Sequence, residues 1–151
     1  AGVMALVLVL LAEWAALSSL PEPVRAPALL LAPALARWTV VPVGIIFPPA
    51  RPRGLGHAMQ QGLWPGAAPL ATLIAAGTAI AMFGVPGLVL LLIAGVAAIV
   101  LAGSAARMLD GVTGDVFGAA IEVAQVAVWM SLVAATTQGW IAPGIGERWA
   151  I

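Results

Sequence analysis

Five long stretches of this chain are apolar on nearly every face, and short polar segments separate them. The first covers residues 3–20. Glu13 interrupts it, and Pro21-Glu22-Pro23 ends it, because proline lacks a backbone donor and clashes with the preceding turn. The second covers residues 27–47, where Pro33 and Pro42 predict bends and Arg37 sits within the span. The third runs over 67–83, and Gly84-Val85-Pro86-Gly87 predicts a tight turn after it. The fourth runs over 88–106 and the fifth over 116–137. A water-soluble helix shows one apolar stripe and one charged face. The pattern here predicts membrane spans instead, each needing roughly 20 residues. The expected fold class is all-α: a polytopic transmembrane helix bundle of about five spans in a single domain over residues 1–151.

Composition sharpens this picture. The chain is 63% hydrophobic and 8% charged, with mean hydropathy +1.12. Its 6 basic residues are all arginine and balance 6 acidic ones, so no basic face speaks for nucleic acid. The absence of cysteine excludes disulfides and thiolate metal sites, and a lone His57 excludes a histidine cage. Ser18, Ser19, Ser104 and Ser131 have no histidine nearby in sequence, which argues against a nucleophile triad. Tyrosine is absent, and tryptophans such as Trp140 and Trp149 are the expected interfacial anchors. Small residues (Ala75, Ala76, Gly77 and Ala79 in the third span; Gly95, Ala97, Ala98, Gly103 and Ala105 in the fourth) predict close helix packing. The opening Ala1-Gly2-Val3 has no basic leader region, and the chain reads as the later part of a longer protein.

If the spans alternate in direction, the loops after the second and fourth must lie on one side. These are the two most polar segments: residues 51–57, with Arg51, Arg53, Gly54, Gly56 and His57, and residues 107–115, with Arg107, Asp110, Thr113, Gly114 and Asp115. Three arginines then share a face, against Arg25 and Arg148 opposite, which favours the cytoplasm for the shared face.

Ionisable groups beside or within a bilayer are costly to desolvate and mark substrate or ion sites. Asp110 and Asp115 are separated by a segment with two glycines that would let their carboxylates converge. Carboxylates with water and a substrate phosphate suit Mg²⁺. Glu122, two turns past Asp115, would extend an acidic track. Asp115 also stands where an N-cap of the fifth span is expected. Arg51 and Arg53 on a loop stiffened by Pro52 would form a phosphate clamp, with Gly54 and Gly56 allowing close approach. Arg37 requires a partner, for which Glu13, Glu122 or Asp115 are candidates. His57 reads as an ordinary loop residue.

Three segments together resemble a known family. Ala50-Arg51-Pro52-Arg53-Gly54-Leu55-Gly56 is similar to its ARP-x-GLG loop. Gly111-Val112-Thr113-Gly114-Asp115-Val116-Phe117-Gly118-Ala119-Ala120, followed by Ile121-Glu122, is similar to its G-x-TGD-x-x-GAA signature. Gly2-Val3-Met4-Ala5-Leu6-Val7-Leu8 resembles the start of one of its middle helices. The family is cobalamin synthase, the adenosylcobinamide-GDP ribazoletransferases, and the likeness is to its C-terminal portion. The chain lacks the acidic HLDGLAD-x-x-DG motif of the family's N-terminal part, and it carries Asp110-Gly111 where Gly-Gly is usual. Gln125 stands where an acidic residue is expected, and Glu13 where lysine is common.

The resemblance implies a membrane transferase that joins adenosylcobinamide-GDP to α-ribazole, or its 5′-phosphate, releasing GMP, with Mg²⁺ as cofactor. It implies phosphate or substrate contacts from Arg51, Arg53, Gly54, Gly56, Arg107, Thr113 and Gly114. Catalytic and metal roles fall to Asp110 and Asp115, with Glu122 as a further metal ligand. The implied setting is a bacterial cytoplasmic membrane, with the lipid bilayer as surroundings and a homo-oligomer left open. Two rival readings differ in class. A phospholipid-type alcohol phosphotransferase would carry a D-x₂-D-G-x₂-A-R pattern, which is absent; a small transporter or channel subunit would leave two polar loops on one face unexplained.

Overall fold

The computed structural model describes residues 2–141, so Arg148 and Trp149 lie outside the described residues. Seven helices follow one another without an extended strand among the described residues: α1 (Gly2–Ser19), α2 (Glu22–Trp38), α3 (Val40–Ile46), α4 (Leu55–Gln61), α5 (Ala67–Phe83), α6 (Val85–Leu109) and α7 (Gly114–Thr137). Four stretches are long and apolar enough to cross a membrane: α1, the combined Glu22–Ile46, α6 and α7; α5 is a shorter apolar helix. This is the polytopic helical bundle that the hydropathy pattern predicts.

The second span is one path with a break at Thr39. Pro42 lacks an N–H and crowds the carbonyl four residues back, and the helix changes at that point. Thr39 is the one buried polar side chain among the described residues, and its hydroxyl donates to the Ala36 carbonyl at 2.6 Å. Pro33, by contrast, stays inside α2. The span also begins five residues earlier than expected, at Glu22, with Pro23 in the first turn, where a missing N–H costs nothing. The same rule corrects the turn expected at residues 84–87. Only Gly84 turns; Val85 and Pro86 already open α6.

α7 is the centre of the bundle and packs against α6, α2 and α1. Its buried positions Val116, Ala120, Ala124, Val128 and Leu132 recur every fourth residue, forming one stripe. α6 presents Ala94, Ala98 and Ala102, and α2 presents Ala28, Ala32 and Ala36, all fully buried. Small side chains at four-residue spacing bring helix backbones close, which is how packing energy is gained where lipid removes the hydrophobic drive between helices. Of the small residues expected to pack, Gly95, Ala79 and Ala98 are buried, whereas Gly77 is exposed.

Polar side chains fasten the apolar helices to one another and to themselves. The Trp38 indole donates to Thr72 Oγ1 at 3.1 Å, tying α2 to α5. Gln125 Nε2 donates to Glu13 Oε1 at 2.7 Å, tying α7 to α1, whose only buried residue is Ala16. Arg25 donates to the Leu20 and Ser18 carbonyls, satisfying acceptors left over at the end of α1. Arg37 lies in the last turn of α2, exposed, and donates to the Pro33 carbonyl at 3.1 Å. The structure gives it that backbone acceptor rather than Glu13, Glu122 or Asp115.

Candidate functional site

The two polar loops meet at one end of the bundle. Pro49 and Val112 form a short parallel bridge, in which Ala50 N donates to Val112 O at 3.0 Å and Val112 N donates to Pro48 O at 2.9 Å. The parity of the spans therefore holds: the loops after the second and fourth spans share a face and are joined by backbone hydrogen bonds.

Gly111 makes the junction possible. Its φ is +143°, and a Cβ there would stand 2.6 Å from Ala50 N and 2.7 Å from Pro48 O. No L side chain fits that backbone or that gap. The second close approach is between helix starts. A Cβ on Gly56 would come within 3.2 Å of Gly114 N and of the Thr113 carbonyl carbon, so α4 leans on the first turn of α7 by backbone contact. Gln60 Nε2 donates to the Phe47 carbonyl at 2.9 Å and holds α4 to the end of α3.

A cavity of about 290 Å³ opens where these pieces meet. Arg51, Arg53, Gly54, Leu55, Gly56 and His57 line one wall; Val112, Thr113, Gly114 and Asp115 line the other. Arg51, Arg53 and Asp115 are exposed, whereas Gly56 and Val112 are buried beneath them. Among the described residues, the opening thus carries two guanidinium groups, one imidazole and one carboxylate over a backbone floor. Guanidinium groups bind phosphate oxygens through paired N–H donors, and the free N–H groups at the start of α7 favour an anion.

Thr113, not Asp115, caps α7: its Oγ1 accepts from Val116 N at 3.4 Å. Asp115 lies in the first turn, where its charge suits the positive end of the helix. Its carboxylate is thereby free of the capping role expected for it. His57, read from sequence as an ordinary loop residue, lines the cavity from α4. The signal was the short run Leu-Gly-His-Ala-Met-Gln-Gln after Gly54, whose seven residues make a helix rather than open loop.

Asp110 and Arg107 do not join this group. They line a second cavity of about 530 Å³, with Phe47, Pro48, Ile99, Val100, Gly103, Ser104, Ala106 and Gly111. The glycines between Asp110 and Asp115 thus serve the bridge and the helix start instead of folding the two carboxylates into one cavity. Glu122 is farther along α7, half-buried and within electrostatic reach of Glu13. Among the described residues, no three of His, Asp or Glu gather closely enough to hold a metal ion by themselves.

Asp110 has a structural role of its own. It ends α6 in the left-handed conformation with φ 57°, the one such non-glycine residue described, and Gly111 N donates back to Ala106 O at 3.1 Å. Glycine is favoured at that position of a helix terminus. Asp110→Gly is therefore expected to raise unfolding stability by about 0.5–1 kcal/mol, read by thermal or denaturant unfolding in detergent. A clear loss of stability would mean that the Asp110 side chain holds the loop.

Residues 1–133 match the family model described as cobalamin-5-phosphate synthase. The chain is 39% identical over 132 residues to an adenosylcobinamide-GDP ribazoletransferase of Pseudomonas paraeruginosa, covering 87% of this chain and 54% of that protein. It is 37% identical over 105 residues to one from a Roseiflexus species, covering 70% and 39%. For the Pseudomonas aeruginosa protein of the same name the figures are 38% over 131 residues, 87% and 53%. The chain spans about half the length of the curated relatives it matches. No solved structure matches it.

Proposed function

Because the chain belongs to the cobalamin-5-phosphate synthase family, we propose that it carries the phosphate-handling part of a membrane ribazole transferase. In the proposed reaction a hydroxyl of α-ribazole, or of its 5′-phosphate, attacks the phosphorus next to the cobinamide arm of adenosylcobinamide-GDP. The new P–O bond forms as the bond to the bridging oxygen breaks. GMP leaves with the electron pair of that oxygen, and the proton of the hydroxyl is released.

The observation that carries this reading is the backbone bridge that gathers Arg51, Arg53, His57 and Asp115 around one cavity. Such a transfer needs neutralisation of a diphosphate and in-line placement of a hydroxyl. Arg51 and Arg53 neutralise charge on the phosphates. Thr113 and Gly114 hold the start of α7 against them, and Gly54 and Gly56 keep side chains out of the floor. Asp115 orients the attacking hydroxyl, and His57 lies within the same cavity to hold a proton. Arg107 and Asp110 stand apart from this set.

Mg²⁺ fits the cavity in a limited sense. It is commonly bound through one or two carboxylates plus substrate phosphates and waters. Asp115 would hold it, and the ion would add positive charge on the phosphates. Asp110 and Glu122, placed elsewhere, would not complete its shell in this arrangement. The face with Arg51, Arg53 and Arg107 would be cytoplasmic, in a bacterial inner membrane, by the excess of arginine there.

Arg51→Lys tests the clamp. It keeps the charge and loses the planar fork, so transfer by the protein as the cell makes it is expected to fall roughly tenfold or more in kcat/KM for adenosylcobinamide-GDP. Wild-type kinetics in this variant would reduce Arg51 to a charge that sets membrane orientation.

A further inference from the structure

The larger cavity, beside α3 and α6, has a chemistry unlike that of the phosphate site. Its walls are Phe47, Pro48, Ile99, Val100 and Gly103, and its outer end carries Arg107 and Asp110. Gly103 opens the groove: a Cβ there would already stand 3.3 Å from the Phe47 ring. Val100 is 62% exposed, and the neighbouring Val96 and Leu92 continue the exposed apolar face of α6 away from the polar end. From Ile99 to Leu109 the helix rises about 15 Å. One leaflet of a hydrocarbon core is about as deep, half of roughly 30 Å. The groove therefore runs from the polar face of the membrane towards its middle.

We propose that this groove holds one phospholipid with a primary-amine headgroup. The acyl chain lies along Phe47, Ile99, Val100 and Gly103. The headgroup phosphate accepts from the Arg107 guanidinium, and the ammonium donates to the Asp110 carboxylate. Charge complementarity selects the lipid class. The mouth carries one cation and one anion, which matches a zwitterion better than an anionic headgroup. An ammonium with N–H donors satisfies Asp110, whereas a quaternary one offers none. Arg107 and Asp110 are both exposed at the end of α6, where they can meet the headgroup region of the bilayer. The proposal is independent of the transferase reading, since neither residue belongs to the phosphate cavity and the test does not read transfer.

The experiment is native mass spectrometry of the detergent-purified protein, titrated with phosphatidylethanolamine, phosphatidylcholine and phosphatidylglycerol of matched acyl chains at equal concentrations. Wild type is expected to retain one phosphatidylethanolamine about tenfold over either competitor, the low end of one charge-assisted hydrogen bond. Asp110→Asn keeps the left-handed backbone that asparagine tolerates, so it is expected to fold and to lower phosphatidylethanolamine retention to the phosphatidylcholine level. Val100→Trp fills the groove from an exposed position and should reduce retention of every lipid there. Equal retention of the three headgroups by wild type, a preference for phosphatidylglycerol, or selectivity unchanged in Asp110→Asn would each overturn the proposal.

Discussion

Asp115→Asn is expected to abolish most transfer while leaving the bundle folded. Asp115 is exposed in the first turn of α7, and Thr113 supplies the cap. Asparagine in its place therefore costs only the interaction of one charge with the helix start, about 0.3–1 kcal/mol. Among the described residues, Asp115 is also the one carboxylate lining the Arg51–His57 cavity. Loss of an oriented charge at a reacting centre lowers kcat by roughly 100-fold or more. The check is GMP release from adenosylcobinamide-GDP by the purified protein, beside its unfolding curve. Partial rescue at raised Mg²⁺ would trace the lesion to metal affinity. Near-normal turnover at limiting Mg²⁺ would leave Asp115 with a helix-dipole role alone.

Gly111→Ala is expected to damage stability and activity together. The added methyl meets Ala50 N and Pro48 O, and the backbone there has φ +143°. Backbone atoms cannot swing aside as a side chain can, so the bridge must open and its two hydrogen bonds weaken. Strain of that kind and the loss of two hydrogen bonds together cost roughly 2–4 kcal/mol. The walls of the cavity come from the two loops the bridge joins, so transfer should fall with it. Unfolding in detergent and transfer at low temperature, where the variant is still folded, would measure the two effects separately. A variant as stable and as active as wild type would show that the bridge does not hold the site together.

Much of this was legible in the sequence because it follows from local rules. Gly66 and Gly84 bracket an apolar run, and α5 spans Ala67–Phe83, as the run predicts. Alternation of the spans places the two polar loops on one side by parity alone. Other features depend on space instead of neighbours in sequence. Pro86 looked like a turn residue because proline stops a helix, yet in the first turn it fits and α6 starts ahead of it. Asp115 stands where a cap of the fifth span is expected, but the extended backbone at Thr113 places that hydroxyl over the free N–H groups. Asp110 looked paired with Asp115, and the left-handed turn at its own position sends it to the other cavity. The Glu13–Gln125 hydrogen bond joins residues 112 apart, and no local pattern announces it.

In the proposed reaction Arg51 and Asp115, brought together by the bridge, act on one reacting phosphate. A double-mutant cycle on GMP release tests it most directly, using Arg51→Ala, Asp115→Asn and the two combined in the protein as the cell makes it. Residues that act as a unit lose little more when both are removed than when one is. The combined loss in kcat/KM is expected to fall roughly tenfold or more short of the product of the single losses. A combined loss equal to that product within about twofold, as for distant independent sites, would contradict it.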